Sequence, residues 1–160
     1  SPACSVIANP ASRTRASAQA LADHATTLGL QSRVVDDPDA ALAHCPLVVS
    51  STSAQAIALR GTPRDDAFVS AVGAFTPRMV EWSPAVCRHV AGHGTLVVDT
   101  RDADHELQAG LDVGALPTLA QVVDQPGPWR GPVFFKCCGW AGWDLAAARL
   151  AVAPDEPGPG

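Results

Sequence analysis

The 160 residues of the chain predict an α/β fold: a doubly wound, mostly parallel sheet with helices packed on it. Short β-branched runs alternate along the chain with Ala- and Leu-rich stretches of helical period. The runs are continuously apolar, the pattern of strands buried on both faces, as in a parallel sheet. Small, polar or glycine residues follow each run, where such a sheet offers its ligand crevice.

The first run is "SVIA" at 5–8. "RASAQALADHATTLGL" follows, with Ala18, Leu21, Ala22 and Ala25 at three- and four-residue spacing and Gly29 placed as a helix C-cap. "SRVVD" at 32–36 is the second strand, and "DPDAALAHC" opens with an Asp–Pro helix start. "PLVVSST" at 46–52 and "FVSAVGAF" at 68–75 are the third and fourth strands. "SPAVCRHVAGHG" begins with an N-cap serine and a proline at the first helical position, and is expected to stop at glycine. "TLVVDT" at 95–100 and "PVFFKCC" at 132–138 complete the strands, and "GWDLAAARLAVA" is the last helix. The closing "PDEPGPG" has the composition of a disordered tail.

This length suits one domain with a real core. Eleven scattered basic residues and a net charge of −5 argue against nucleic acid as a partner, since phosphate contacts need clustered Lys and Arg. No apolar stretch reaches the roughly 18 residues of a spanning helix, and "SPACSVIANP" lacks the layout of a signal peptide, so no membrane partner is expected. The five cysteines are odd in number, widely spread and without a C-x-x-C pair. A reduced, cytoplasmic setting is therefore expected rather than a disulfide framework or a zinc site.

Several residues invite a functional reading. His89 and His93 have a ligand-like spacing, but no Glu follows His89 and Gly92 is expected to break the helix between them, so no metal site is read there. His24 and His44 fit helix ends, and the acidic "DADHE" at 102–106 reads as a solvated helix start. "SRTR", Ser12 to Arg15, is more informative. A hydroxyl and arginines after the second strand of a Rossmann sheet suit a ribose 2′-phosphate, through charge-assisted hydrogen bonds; the alternative is an exposed helix start that happens to be basic. "SSTS" after the third strand, "GAFTP" after the fourth, "DTRD" after the fifth and "CCGWAG" after the sixth fall at corresponding positions, which suggests a nucleotide-sized crevice.

Taken together, "ASRTRASAQALADHA", "PLVVSSTS", "VSAVGAFTPRMVEW", "TLVVDTRDA" and "VFFKCCGWAGWDLAAARLA" resemble the ornithine cyclodeaminase/mu-crystallin family. The nearest branch is its bacterial reductases of cyclic imino acids. The resemblance runs from Ser12 to Ala151 and rests on the ordered set rather than on any single motif. It implies a Rossmann domain for a nicotinamide nucleotide, a separate domain for substrate and dimerisation, and a homodimer. Ser12, Arg13 and Thr14 would hold the 2′-phosphate of NADPH, with NADH also possible. Ser51, Thr52 and Ser53 would line the cofactor path, and Val72, Gly73 and Ala74 would lie near the nicotinamide half. Lys136, Cys137, Cys138 and Gly139 would form a turn closing over the nicotinamide.

The implied reaction is NADPH-dependent reduction of Δ1-pyrroline-2-carboxylate to proline, or of Δ1-piperideine-2-carboxylate to pipecolate. Phe75 stands where the cyclodeaminase branch carries an aspartate, and a phenyl ring transfers no proton. Thr76 is the weak catalytic candidate, its alternative being a plain turn hydroxyl before Pro77. A non-catalytic nucleotide- or ligand-binding module of the mu-crystallin type, or a cyclodeaminase-like lyase, is the competing expectation. The G-x-G-x-x loop, the central strand before it and the substrate domain are missing from the pattern. Residues 1–139 are thus expected to be an incomplete Rossmann domain, 140–153 a helix packing towards the missing domain, and 154–160 a flexible tail.

Overall fold

The computed structural model of the chain describes residues 7–74, 76, 79–101, 111–125 and 127–152. The start of the first expected strand, Phe75, Pro77, the acidic 102–106 stretch and the 154–160 tail lie outside the described residues.

In chain order the elements are β1 (Ile7–Ala8), α1 (Arg15–Thr27), β2 (Gln31–Ser32), α2 (Pro38–Leu42), β3 (Leu47–Ser50), β4 (Phe68–Ala71), α3 (Pro84–His93), β5 (Thr95–Val98), α4 (Leu119–Asp124), β6 (Val133–Lys136) and α5 (Ala141–Val152). The helix starts follow their capping residues. Thr14 Oγ1 accepts from Ser17 N at 3.2 Å, Asp37 Oδ1 from Ala40 N at 3.1 Å and Ser83 Oγ from Val86 N at 3.3 Å, each satisfying an amide that the helix leaves unpaired. Pro38 and Pro84 sit where their missing N–H costs nothing. Gly29, at φ +80°, ends α1 as expected.

Two helices depart from the sequence expectation. α3 runs through Gly92 to His93 and is capped by Gly94. Its interior glycine costs about 1 kcal/mol against alanine, too little to stop a helix whose Val86, Cys87 and Val90 are buried. His89 and His93 therefore share a helix face, their rings stacked with centroids 4.4 Å apart. α4 was not anticipated. It is short and has no buried residue, so it shows no apolar period, but Thr118 and Gln121 form a reciprocal capping box at its start.

All described strand pairs are parallel. β3, β4, β6 and β5 form a four-stranded sheet in that order, while β1 and β2 pair with each other alone. Among the described residues no ladder joins the two sheets. Among the described residues, β1 and β3 each have a strand partner on one side only.

One face of the four-stranded sheet is packed. Val69, Ala71, Leu96, Val98 and Phe134 join Val86, Cys87 and Val90 of α3 and Trp82 in one core, with Trp82 and Phe134 edge to face at 5.1 Å. The β3–β4 half of the opposite face differs from the expectation of strands buried on both sides, whereas Val97 of β5 on that face is buried. Leu47 is 66% exposed, Val49 67% and Phe68 42%. Leu47 is in register with Phe68, so these side chains stand on the same side of the pleat.

Candidate functional site

The carboxyl ends of β3, β4, β6 and β5 bring three of the four expected site segments together. Ser51, Thr52 and Ser53 follow β3 and are exposed; Val72, Gly73 and Ala74 follow β4; Cys137, Cys138 and Gly139 follow β6. Beyond the strands the ladder continues through Val72 N to Ser50 O at 2.8 Å and Cys137 N to Ala71 O at 2.9 Å.

Past those bonds, buried charged side chains tie the loops pairwise. Glu81, 3% exposed, accepts from Thr52 N at 2.6 Å and from Gly73 N at 3.0 Å, joining the loops after β3 and β4. The same carboxylate accepts from Ser50 Oγ at 3.3 Å, and Ser50 Oγ in turn accepts from Trp82 Nε1 at 2.9 Å. Lys136, the last residue of β6, turns its ammonium inward and donates to Ala74 O at 3.0 Å, joining the β4 and β6 loops. Asp99 Oδ2 accepts from Cys138 N and Gly139 N, both at 2.9 Å, joining β5 to the β6 loop. Each neighbouring pair of strands thus has one ionic side chain at its carboxyl end. Buried charges are expensive unless hydrogen-bonded, and here backbone N–H and C=O groups compensate them.

Two glycines are dictated by this geometry. At Gly73 a Cβ would overlap the backbone N and O of Thr52 and Glu81 Oε1, so no side chain fits between the two loops. Gly139 has φ +81°, the left-handed conformation that turns the chain after Cys138 and presents its N–H to Asp99.

Cys137 and Cys138 are free thiols. Burial pushes the Cys137 thiol up, away from the thiolate needed for nucleophilic attack or metal ligation. Both fit as small turn residues. Among the described residues no group of three or more His, Cys, Asp or Glu could hold a metal ion.

Ser12, Arg13 and Thr14 sit on the other sheet, exposed, between β1 and α1. Thr14 is committed to capping α1, and Arg15 pairs with Asp36 on the surface. Thr76 is half-buried, and its carbonyl accepts from Met79 N at 3.0 Å.

Sequence reasoning missed Glu81, and it took Ser50 and Asp99 only as members of the "SSTS" and "DTRD" segments, not as the residues that tie the loops. Their signal was present: a lone carboxylate in "RMVEW" and another directly after the apolar "TLVV". A cavity of about 350 Å³ lies elsewhere, between Arg101, Leu116, Gln121 and Trp129.

No family model matches the chain. Curated relatives do. Δ1-Pyrroline-2-carboxylate reductase 2 of Burkholderia ambifaria is 35% identical over 120 residues, covering 72% of this chain and 37% of the relative. The Δ1-pyrroline-2-carboxylate/Δ1-piperideine-2-carboxylate reductase of Azospirillum brasilense is 33% identical over 128 residues, with the same coverage. Among solved structures, a probable ornithine cyclodeaminase from Bordetella pertussis Tohama I superposes with a TM-score of 0.63 at 21% identity, over 88% of this chain and 50% of that one. Over most of its own length the chain is thus similar to Δ1-pyrroline-2-carboxylate reductases, and in fold to a probable ornithine cyclodeaminase.

Further solved structures agree on the Rossmann-type fold. Thermococcus litoralis Δ1-pyrroline-2-carboxylate reductase, in complex with NADH and L-proline, gives a TM-score of 0.78 at 21% identity, over 91% of this chain and 49% of that one. An archaeal alanine dehydrogenase dimer with bound NAD gives 0.71 at 17% identity, over 90% and 48%. The chain spans little more than a third of the length of the curated relatives it matches.

Proposed function

We propose that this chain is the nucleotide-binding part of a nicotinamide-dependent reductase of cyclic imino acids, acting on Δ1-pyrroline-2-carboxylate or Δ1-piperideine-2-carboxylate. The observation that carries the reading is the carboxyl edge of the four-stranded sheet, where Glu81, Lys136 and Asp99 tie successive strand-end loops. Open α/β sheets take their ligands at that edge. Its curated relatives are named for this reduction.

The residues present fit part of a nicotinamide nucleotide. Exposed hydroxyls of Ser51, Thr52 and Ser53 would line its path, and the left-handed turn at Gly139 lets the backbone approach without a side chain. Arg13, with Ser12 and Thr14, would hold the 2′-phosphate of NADPH, which would be preferred over NADH. The 160 residues hold no G-x-G-x-x-G after a strand, so the pyrophosphate would be cradled elsewhere in the protein.

When bound, the nucleotide supplies a hydride to the imine carbon. This chain's part is to orient and to exclude water. Val72, Gly73 and Ala74 would flank the nicotinamide from the β4 side, with Cys137, Cys138 and Gly139 from the β6 side. Phe75 has no group that handles a proton, which favours reduction over cyclodeamination of ornithine. Thr76 would at most orient a water or the imine.

The remaining architecture follows the same reading. Residues 1–139 would be a Rossmann domain completed by chain outside this sequence, a strand of which would pair with β1 and β3. α5, with no buried residue, and the exposed edge-to-face pair Trp140 and Trp143 would pack on a separate substrate domain. The complete protein would be a homodimer in a reducing, cytoplasmic setting. No described helix is long and apolar enough to cross a membrane.

The test uses the complete protein with NADPH and each cyclic imine, and separately with ornithine and catalytic NAD. Reduction of an imine without comparable release of ammonia from ornithine is the expected result. Nucleotide binding with no reduction would instead make the protein a binding module, and ornithine turnover at rates rivalling imine reduction would make it a lyase.

A further inference from the structure

Beyond the loops themselves, we propose that Glu81 is a positioning residue. Its carboxylate sets the spacing between the loop after β3 and the loop after β4, and so the surface on which the nicotinamide end of the cofactor rests. The inference rests on the reading above and adds the residue that shapes its site.

The two carboxylate oxygens act on different loops. Oε1 accepts Thr52 N at 2.6 Å and Oε2 accepts Gly73 N at 3.0 Å. Glu81 is itself held from behind. Ala58 N and Leu59 N donate to its carbonyl at 2.9 and 2.8 Å, and Val80 N and Ser83 N donate to Ala54 O and Leu59 O, so the 54–59 segment straps the glutamate's backbone in place. Trp82, next in sequence, is anchored through Ser50 Oγ and against Phe134. The missing Cβ at Gly73 allows the loops the close approach that the carboxylate enforces.

A purely structural purpose does not explain the charge. β3 and β4 are already joined through their ladder up to Val72 N and Ser50 O. Burying a carboxylate is costly, and what it adds lies past the ladder, on Thr52 and Gly73 in the loops at the strands' carboxyl ends.

Glu81→Gln in the complete protein separates the possibilities, because it keeps the shape and replaces one acceptor by a donor. One loop amide must then face an N–H. The variant is expected to fold with a circular dichroism spectrum like the wild type's and to bind NADPH about tenfold more weakly or worse. Equal affinity in variant and wild type would overturn the role of Glu81 while leaving the reductase reading intact. A wild type that binds no nicotinamide nucleotide would overturn the reading itself, and this inference with it. Should Glu81→Gln fail to fold, amide NMR of the wild type decides. Thr52 and Gly73 N–H are expected to be protected from exchange without ligand and to shift on adding NADPH; unprotected or unmoved amides would contradict the proposal.

Discussion

Arg13 and Arg15 illustrate how two adjacent basic residues divide. Arg15, at the start of α1, is engaged with Asp36 in the loop between β2 and α2, whereas exposed Arg13 stands in the loop before α1. A charge-assisted hydrogen bond to phosphate contributes on the order of 1.5–3 kcal/mol. Arg13→Ala in the complete protein should therefore raise the Kd for NADPH roughly tenfold or more, and that for NADH far less. Equal losses for the two nucleotides, measured by titration, would remove the 2′-phosphate from this loop. Cys87 makes a second prediction at the same scale. Burial in the core lifts its thiol to about 11, from an ordinary value of 9.0. The folded state thus keeps a proton that the unfolded chain releases, so this contribution is fully present below about pH 9 and is lost as pH rises towards about 11. The loss is on the order of 2–3 kcal/mol. Denaturant unfolding across that window should show the decline in the wild type and a flatter profile in Cys87→Ala. Parallel profiles would refute it.

Among elements, the turn after β6 depends most on a single side chain. Asp99 follows β5, accepts Thr100 N at 2.8 Å through Oδ1 and the two turn amides through Oδ2. Asp99→Asn leaves at least one of those N–H groups facing another donor. It should cost about 1–3 kcal/mol, read as a lower midpoint in chemical denaturation, and should weaken nucleotide binding as well. An unchanged midpoint would mean that Gly139 holds the turn alone. Five of the six strands and three of the helices were legible in the sequence, because β-branched runs, capping residues and Gly29 act locally; the second strand, expected over 32–36, is only Gln31–Ser32. The ties between loops were not. Glu81 meets Thr52, 29 residues away, and Asp99 meets Gly139, 40 residues away, and no local pattern encodes such pairings. Lys136 was legible as a site residue, but the inward turn of its ammonium to Ala74 was not. α3 continued through Gly92 because burial outweighs a single propensity.

At the scale of the molecule, the exposed β3–β4 side of the four-stranded sheet and the two separate sheets both fit the proposed reading. Leu47, Val49 and Phe68 read as interior residues in the sequence and stand exposed here, and among the described residues β1 and β3 each have one strand neighbour. Helices and a strand supplied by the rest of the protein would cover both. The loops after β3, β4 and β6, by contrast, are tied to one another within this chain, and the nicotinamide is proposed to rest against them. Amide hydrogen exchange of the complete protein, with and without NADPH, tests this most directly. The account predicts protection concentrated in the segments 51–53, 72–74 and 137–139. Binding without protection in those three segments, or protection confined to other parts of the protein, would contradict it.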